Sequence, residues 1–263
     1  MRIVIFSQYF PPELGACANR IELFAKGLAK KGCDVTVVAG MPNYPFGKIF
    51  DGYKGKLFKR ENYNGVEVFR AWVFPSRRKN LLGRALNYLS YFFSALIISL
   101  FLRKADVIIA SIQPFTVGFV GLFFRFVKGG KLVVDVRDIV EEGSELFQWK
   151  SISRGAPKLE KSLLKRANLI ITVTSKLVEY IKGYLNDKRN VYLVENSVDL
   201  DMIMKSSTSI DRAQFGWEGK FVLIYAGNIG YRHNVGFIID VAREAQRKGV
   251  EELLFLIIGD GVE

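Results

Sequence analysis

Short apolar runs recur along the chain, separated by longer stretches in which apolar positions return every three or four residues. The runs predict strands at Arg2 to Phe6, Asp34 to Ala39, Val66 to Ala71, Val107 to Ala110, Lys131 to Val136, Leu169 to Val173 and Val191 to Val194. Near-continuous apolar strands belong to a parallel sheet covered on both faces, and the helical stretches between them supply the cover. Arg20 to Lys31 has helical spacing and closes on two lysines followed by Gly32, a basic last turn with a glycine stop. Pro157 to Arg166 and Ser175 to Leu185 have the pattern of amphipathic helices. The prediction is one complete doubly wound α/β domain.

After a polar, irregular stretch from Asp199 to Glu218 the pattern restarts with Phe221 to Ala226, a turn, a helix from about Val235 to Lys248, and another strand at Leu253 to Ile258. This is a βαβ unit, and it divides the chain into residues 1–197 and 198–263. One such unit has little core of its own. The sequence stops after Gly259-Asp260-Gly261, where a parallel strand would deliver a ligand loop, so the natural protein is expected to continue past Glu263.

Leu86 to Leu102 carries no charge and lies between Arg84 and Arg103-Lys104. It approaches the roughly 20 residues of a membrane span. A span would place the strand at Val107 across a bilayer from its partners, so an interfacial or buried helix is the expectation. Composition sharpens this. The chain has 263 residues and a formal charge of +12, and the excess lies in residues 1–130, which hold 19 Lys and Arg against 7 Asp and Glu. Basic runs at Lys54, Lys56, Lys59 and Arg60, at Arg77, Arg78, Lys79 and Arg84, and at Arg103 and Lys104 are interleaved with aromatic residues. Anionic lipid or nucleic acid would satisfy such a surface. No nucleic-acid motif accompanies the charge, so an anionic membrane surface is the expected partner. The N-terminus runs straight into a strand without the pattern of a cleavable signal, and the two cysteines, Cys17 and Cys33, lack metal-ligand spacing. A cytoplasmic protein, peripheral on the inner face of the cell membrane, is expected.

Doubly wound sheets bind ligands at the carboxyl ends of their strands. After the first strand comes QYFPPELGACANR, where Gly15 permits close approach to a ligand and a nascent helix offers free N–H groups to a diphosphate. It is neither a dinucleotide fingerprint nor a P-loop, which disfavours hydride transfer and ATP hydrolysis. The strand at Lys131 delivers DVRDIVEEG, and here Arg137, Asp138 and Glu142 are the candidates for chemistry: carboxylates suit sugar hydroxyls or acid–base work, and a guanidinium suits phosphate. In the second unit Gly227, Asn228, Arg232 and His233 lie on a strand-to-helix turn suited to a pyrophosphate, and Gly259 and Asp260 follow the last strand.

QYFPPELGACANR, DVRD, LIITVTS, ENSVD, FVLIYAGNIG and LIIGDG, in that order from one end of the chain to the other, resemble glycosyltransferase family 4 of the GT-B fold, in the branch that builds surface polysaccharides, including transferases of amino-deoxysugars. The resemblance implies two Rossmann-like domains, acceptor on the first and nucleotide-sugar on the second, with retention of anomeric configuration. It implies a UDP-sugar or similar donor, a lipid-linked or saccharide acceptor, no cofactor and no obligatory metal. Gly15 would face the donor diphosphate, Arg137 and Asp138 the transferred sugar, and Asn228, Arg232 and His233 the phosphates. Where this branch reads DLRDLWPES the chain reads DVRDIVEEG, and the family's ribose-holding glutamates would lie beyond Glu263. A non-catalytic membrane-associated protein, a nucleic-acid-binding protein and a sugar-nucleotide epimerase are the alternative readings.

Overall fold

The computed structural model describes residues 1–76, 81–138, 150–186, 190–200, 203–204, 211–227, 229–230 and 233–259. They fall into two compact units, Met1–Asp199 and Leu200–Glu263. The first unit runs β1 (Arg2–Phe6), α1 (Ala16–Lys30), β2 (Asp34–Gly40), β3 (Phe58–Tyr63), β4 (Val66–Ala71), α2 (Leu81–Phe101), β5 (Val107–Ser111), α3 (Thr116–Lys128), β6 (Lys131–Val136), α4 (Lys150–Arg166), β7 (Leu169–Thr172), α5 (Ser175–Leu185) and β8 (Val191–Leu193).

Its sheet has the order β3-β4-β2-β1-β5-β6-β7-β8. Every neighbouring pair is parallel except β3 with β4. Alternate residues of β1 feed two cores, as the period of two in a strand demands. Val4 and Phe6 join a cluster with Tyr91, Ala95 and Ile98 of α2, Val120 and Phe124 of α3, Leu163 of α4 and Ile181 of α5. Ile3 and Ile5 face Ile21 and Ala25 of α1. Helices therefore cover both faces, and the chain reverses direction across the sheet between β1 and β5.

The edge differs from expectation. Eight strands form where seven are expected, because β3 is an antiparallel edge strand with alternating exposure and the sequence FKRENY, which carries no apolar run. Its charges, with those of the loop before it, are also answered locally. Lys59 pairs with Glu61 at 2.7 Å, Lys54 with Asp51 at 2.6 Å, and Arg60 with Glu67. Three cations of the first basic run are thus paired within β3, across to β4 and in the preceding turn, while Lys56 donates to Gly52 O; of the later runs, Arg77, Arg78 and Lys79 lie outside the described residues. Helix α1 begins four residues before the expected Arg20, and α3 was not expected at all.

The second unit contains a short 3-10 turn at Ala213–Phe215, then β9 (Phe221–Ala226), α6 (Val235–Arg247) and β10 (Leu253–Ile258). β9 and β10 pair in parallel, residue by residue from Phe221 with Leu253 to Ala226 with Ile258.

Candidate functional site

In the first unit the carboxyl ends of β1, β5 and β6 lie side by side at the point where the sheet changes direction, the place where open α/β sheets form a ligand crevice. The β1 end leads through Ser7, Gln8 and a proline pair to Gly15, the N-cap of α1. Gly15 has φ +138°, a backbone that side chains rarely adopt, and as the N-cap it brings no side-chain cap to the helix. The first N–H groups of α1 are accordingly available to an anion.

From β6 come Asp135, Arg137 and Asp138. A second residue organises them: Gln113, just after β5, accepts from Arg137 Nη2 through Oε1 and donates from Nε2 to Asp138 Oδ2 at 2.8 Å. The amide thus holds the cation and the carboxylate side by side. Arg137 Nε is buried without a hydrogen-bond partner among the described residues. A buried charged donor left unpaired is costly, and a ligand oxygen would relieve it. Arg137 acts electrostatically on Cys17 in the first turn of α1, whose thiol is pushed up by burial and pulled down by that guanidinium and by a hydrogen bond to Ser7. The α1 N-terminus and Arg137 therefore share one corner of the site.

Beneath this corner lies a network that sequence reasoning missed. Arg20 of α1 is buried and forks onto Asp135, with Nη2 to Oδ1 at 2.9 Å and Nε to the two oxygens at 3.2 and 3.3 Å. Its Nη1 reaches Glu195 O at 3.0 Å and Asn196 Oδ1 at 3.1 Å, and Ser111 Oγ donates to the second oxygen of Asp135 at 3.0 Å. The carboxylate of Asp135 is consequently spent on structure, while Asp138 is exposed and open to a ligand. A signal was present: Arg20 stands one position before Ile21 on the stripe that continues with Phe24, Ala25 and Leu28, so an arginine points at the core where an apolar residue is due.

Glu13 was missed too. Its Oε1 accepts from the N–H groups of Asn43 and Tyr44 at 2.8 and 2.9 Å, and its Oε2 from Phe10 N at 3.4 Å, tying the loops after β1 and β2 together. Burial pushes this carboxyl from 4.5 to about 7, against the pull of those three N–H groups and of Arg70.

In the second unit Gly227 and Gly259 end adjacent strands, with Gly227 N donating to Ile258 O at 2.9 Å. A β-carbon on Gly259 would lie 1.9 Å from Gly227 O, so only glycine fits there. His233 is exposed, and its N–H donates to Gly230 O at 2.7 Å. It leads into Asn234, left-handed at φ 46°, and the start of α6. Glu142, Asn228, Arg232 and Asp260 lie outside the described residues.

The mostly parallel sheet, with α1 opening at its switch point, has the α/β architecture found in structures of the GT-B fold. The chain belongs to the glycosyl transferase 4-like domain family, whose model matches residues 15–197. It is 22% identical over 275 residues to WcaI of Escherichia coli (strain K12), a protein named for colanic acid biosynthesis and glycosyl transfer; the match covers 99% of the chain and 66% of that relative, a little under two thirds. Among solved structures, the catalytic domain of starch synthase IV from Arabidopsis thaliana bound to ADP and acarbose superposes with a TM-score of 0.58 at 14% identity, over 99% of this chain and 69% of that one. The Anabaena protein HepE in complex with UDP and glucose gives 0.50 at 15% identity, over 97% and 69%.

Proposed function

We propose that this chain is the acceptor-binding domain, residues 1–197, and the opening of the nucleotide-sugar domain of a retaining glycosyltransferase. It moves a sugar from a nucleotide-sugar, a UDP-sugar in first place, to a lipid-linked or saccharide acceptor in cell-surface polysaccharide synthesis. The observation that carries this reading is the half-satisfied Arg137 guanidinium, set by Gln113 beside the exposed Asp138 and next to the uncapped N-terminus of α1. WcaI supports the polysaccharide class, and the ADP and UDP held by the two solved relatives support a nucleotide-sugar donor.

In the transfer, the bond between the anomeric carbon and the diphosphate oxygen breaks. The acceptor oxygen forms the new bond on the same face, and its proton passes to the departing side. Negative charge grows on the diphosphate, and donors fixed before the reaction stabilise it without reorganising. Arg137 and the first N–H groups of α1 supply such donors, while Asp138 orients sugar hydroxyls. The turn from Gly227 to His233, including Asn228 and Arg232, and the pair Gly259 and Asp260 would hold the pyrophosphate and nucleotide. No cofactor and no obligatory metal is invoked.

The test incubates the full-length protein with labelled nucleotide-sugars and a lipid extract of its own cells. The expected result is label in the lipid or saccharide fraction with release of nucleoside diphosphate. Arg137→Ala should lower kcat roughly 100-fold, the range for loss of one charge-stabilising donor. Absence of transfer from every donor, together with absence of nucleotide binding, would overturn the proposal.

A further inference from the structure

Helix α2 is apolar on both sides. Its inner side is core: Tyr91, Ala95 and Ile98 are buried, and the Tyr91 hydroxyl donates to Val38 O at 2.9 Å. Its outer side repeats at helical spacing through Leu86, Leu89, Phe93, Ile97, Leu100 and Phe101, all of them exposed, Phe101 by 84%. A surface helix ordinarily turns charge to water, yet Arg84 is the one charged residue in all of Leu81–Phe101. At 1.5 Å per residue the stripe from Leu86 to Phe101 is about 22 Å long.

Neighbouring residues extend this face. Lys128 at the end of α3 donates from Nζ to Leu100 O at 2.9 Å, which places the C-terminal ends of α2 and α3 together, and Phe126 there is 88% exposed. Arg103 and Lys104, both exposed, follow Phe101 directly. The result is an apolar stripe with three cations at its far end, while Arg84 turns inward beside Tyr9 and Asn87.

We infer that the outer face of α2 docks in the plane of an anionic lipid bilayer. Its apolar side chains would enter the boundary between acyl chains and headgroups, and Arg103, Lys104 and Lys128 would meet the phosphates. The helix has the length and hydropathy of a membrane span. Crossing the bilayer would withdraw Tyr91, Ala95 and Ile98 from the core, so it lies in the interface instead. A second copy of the chain fits this face poorly, because α2 carries no acidic residue to answer the cations at the end of the stripe. The docked orientation also serves the cleft. Asn87 on the inner side of α2 accepts from Gln8 Nε2 at 2.5 Å and donates to Phe74 O at 2.7 Å, so the loop after β1 is tied to the docked helix. The inference stands on this surface alone and is independent of the sugar-transfer reading.

Co-sedimentation of the full-length protein with vesicles tests it. Equimolar phosphatidylcholine and phosphatidylglycerol should bind the protein at least about tenfold more tightly than phosphatidylcholine alone, with the difference lost in 1 M salt, where screening acts within about 3 Å. Phe93→Ser/Ile97→Ser, at exposed positions, should weaken binding to both vesicles about tenfold or more at unchanged thermal unfolding. Arg103→Gln/Lys104→Gln should weaken binding to the anionic vesicles only, and it keeps the test decisive if the first variant misfolds. A wild-type protein left in the supernatant overturns the inference, as does unaltered binding in both folded variants. A stable dimer that Phe93→Ser/Ile97→Ser dissociates, without vesicle binding, assigns the face to a second copy and overturns it equally.

Discussion

At the residue scale, the buried pair of Arg20 and Asp135 divides the site into scaffold and working parts. Two charges out of water survive because each is multiply hydrogen-bonded. Arg20→Ala should therefore cost about 3–5 kcal/mol, since Asp135 would be left buried without its partner. Urea unfolding measures this, and a loss below about 1 kcal/mol would mean that Asp135 finds another partner. Glu13 gives a prediction in pH. The folded protein holds its proton more tightly than the unfolded chain, so its contribution to stability is complete below about pH 4.5 and is lost as pH rises through about 7. Glu13→Gln should flatten the fall in stability across that window, by at most about 3 kcal/mol, in thermal melts at a series of pH values. A slope unchanged from wild type would place the titration elsewhere.

At the element scale, α3 shows what packing demands of sequence. A β-carbon on Gly118 would lie 2.2 Å from Leu163 Cδ2, and Leu163 is fully buried; one on Gly121 would lie 3.0 Å from Leu132. The two glycines let the helix lie close on β5, β6 and α4. Gly118→Ala should destabilise by about 1–3 kcal/mol despite its gain in helix propensity, and calorimetry would reveal it. A variant as stable as wild type would mean that α4 yields there. The same segment explains a failure of sequence reading. TVGFVGLFFRFVK carries no charge before Arg125, so its inner face stands out little in the sequence, and its glycines resemble breaks rather than contacts. β3 escaped for the opposite reason, since an edge strand that pairs charges carries no apolar run. The buried parallel strands were legible because both their faces are core. That Gly15, Arg137 and Asp138 follow the carboxyl ends of strands was legible, because those strands are; their action on a ligand is what the Arg137→Ala assay tests. Gln113 and the partners of Arg20 were not, because those contacts span 24 to 176 residues and only the fold brings them together.

At the scale of the whole molecule, the first unit contains a complete eight-stranded sheet with a core on each face. Residues 1–199 expressed alone should unfold in a single cooperative transition, the same by circular dichroism and by tryptophan fluorescence. Non-coincident transitions would show that this unit depends on the rest of the protein. The strand order has a consequence for biosynthesis. β1, at the middle of the sheet, is the earliest of these strands in the chain; β5 is laid against it, and from β6 to β8 each new strand is laid against the one made just before it. None of these has to wedge between strands already paired. The nascent sheet on that side therefore always exposes a single fresh edge, and the three-residue β8 closes it last. Arg20 can pair with Asp135 as soon as β6 is made, but its Nη1 must wait for Glu195 and Asn196, so the last bonds of the network beneath the site close only after β8 has emerged.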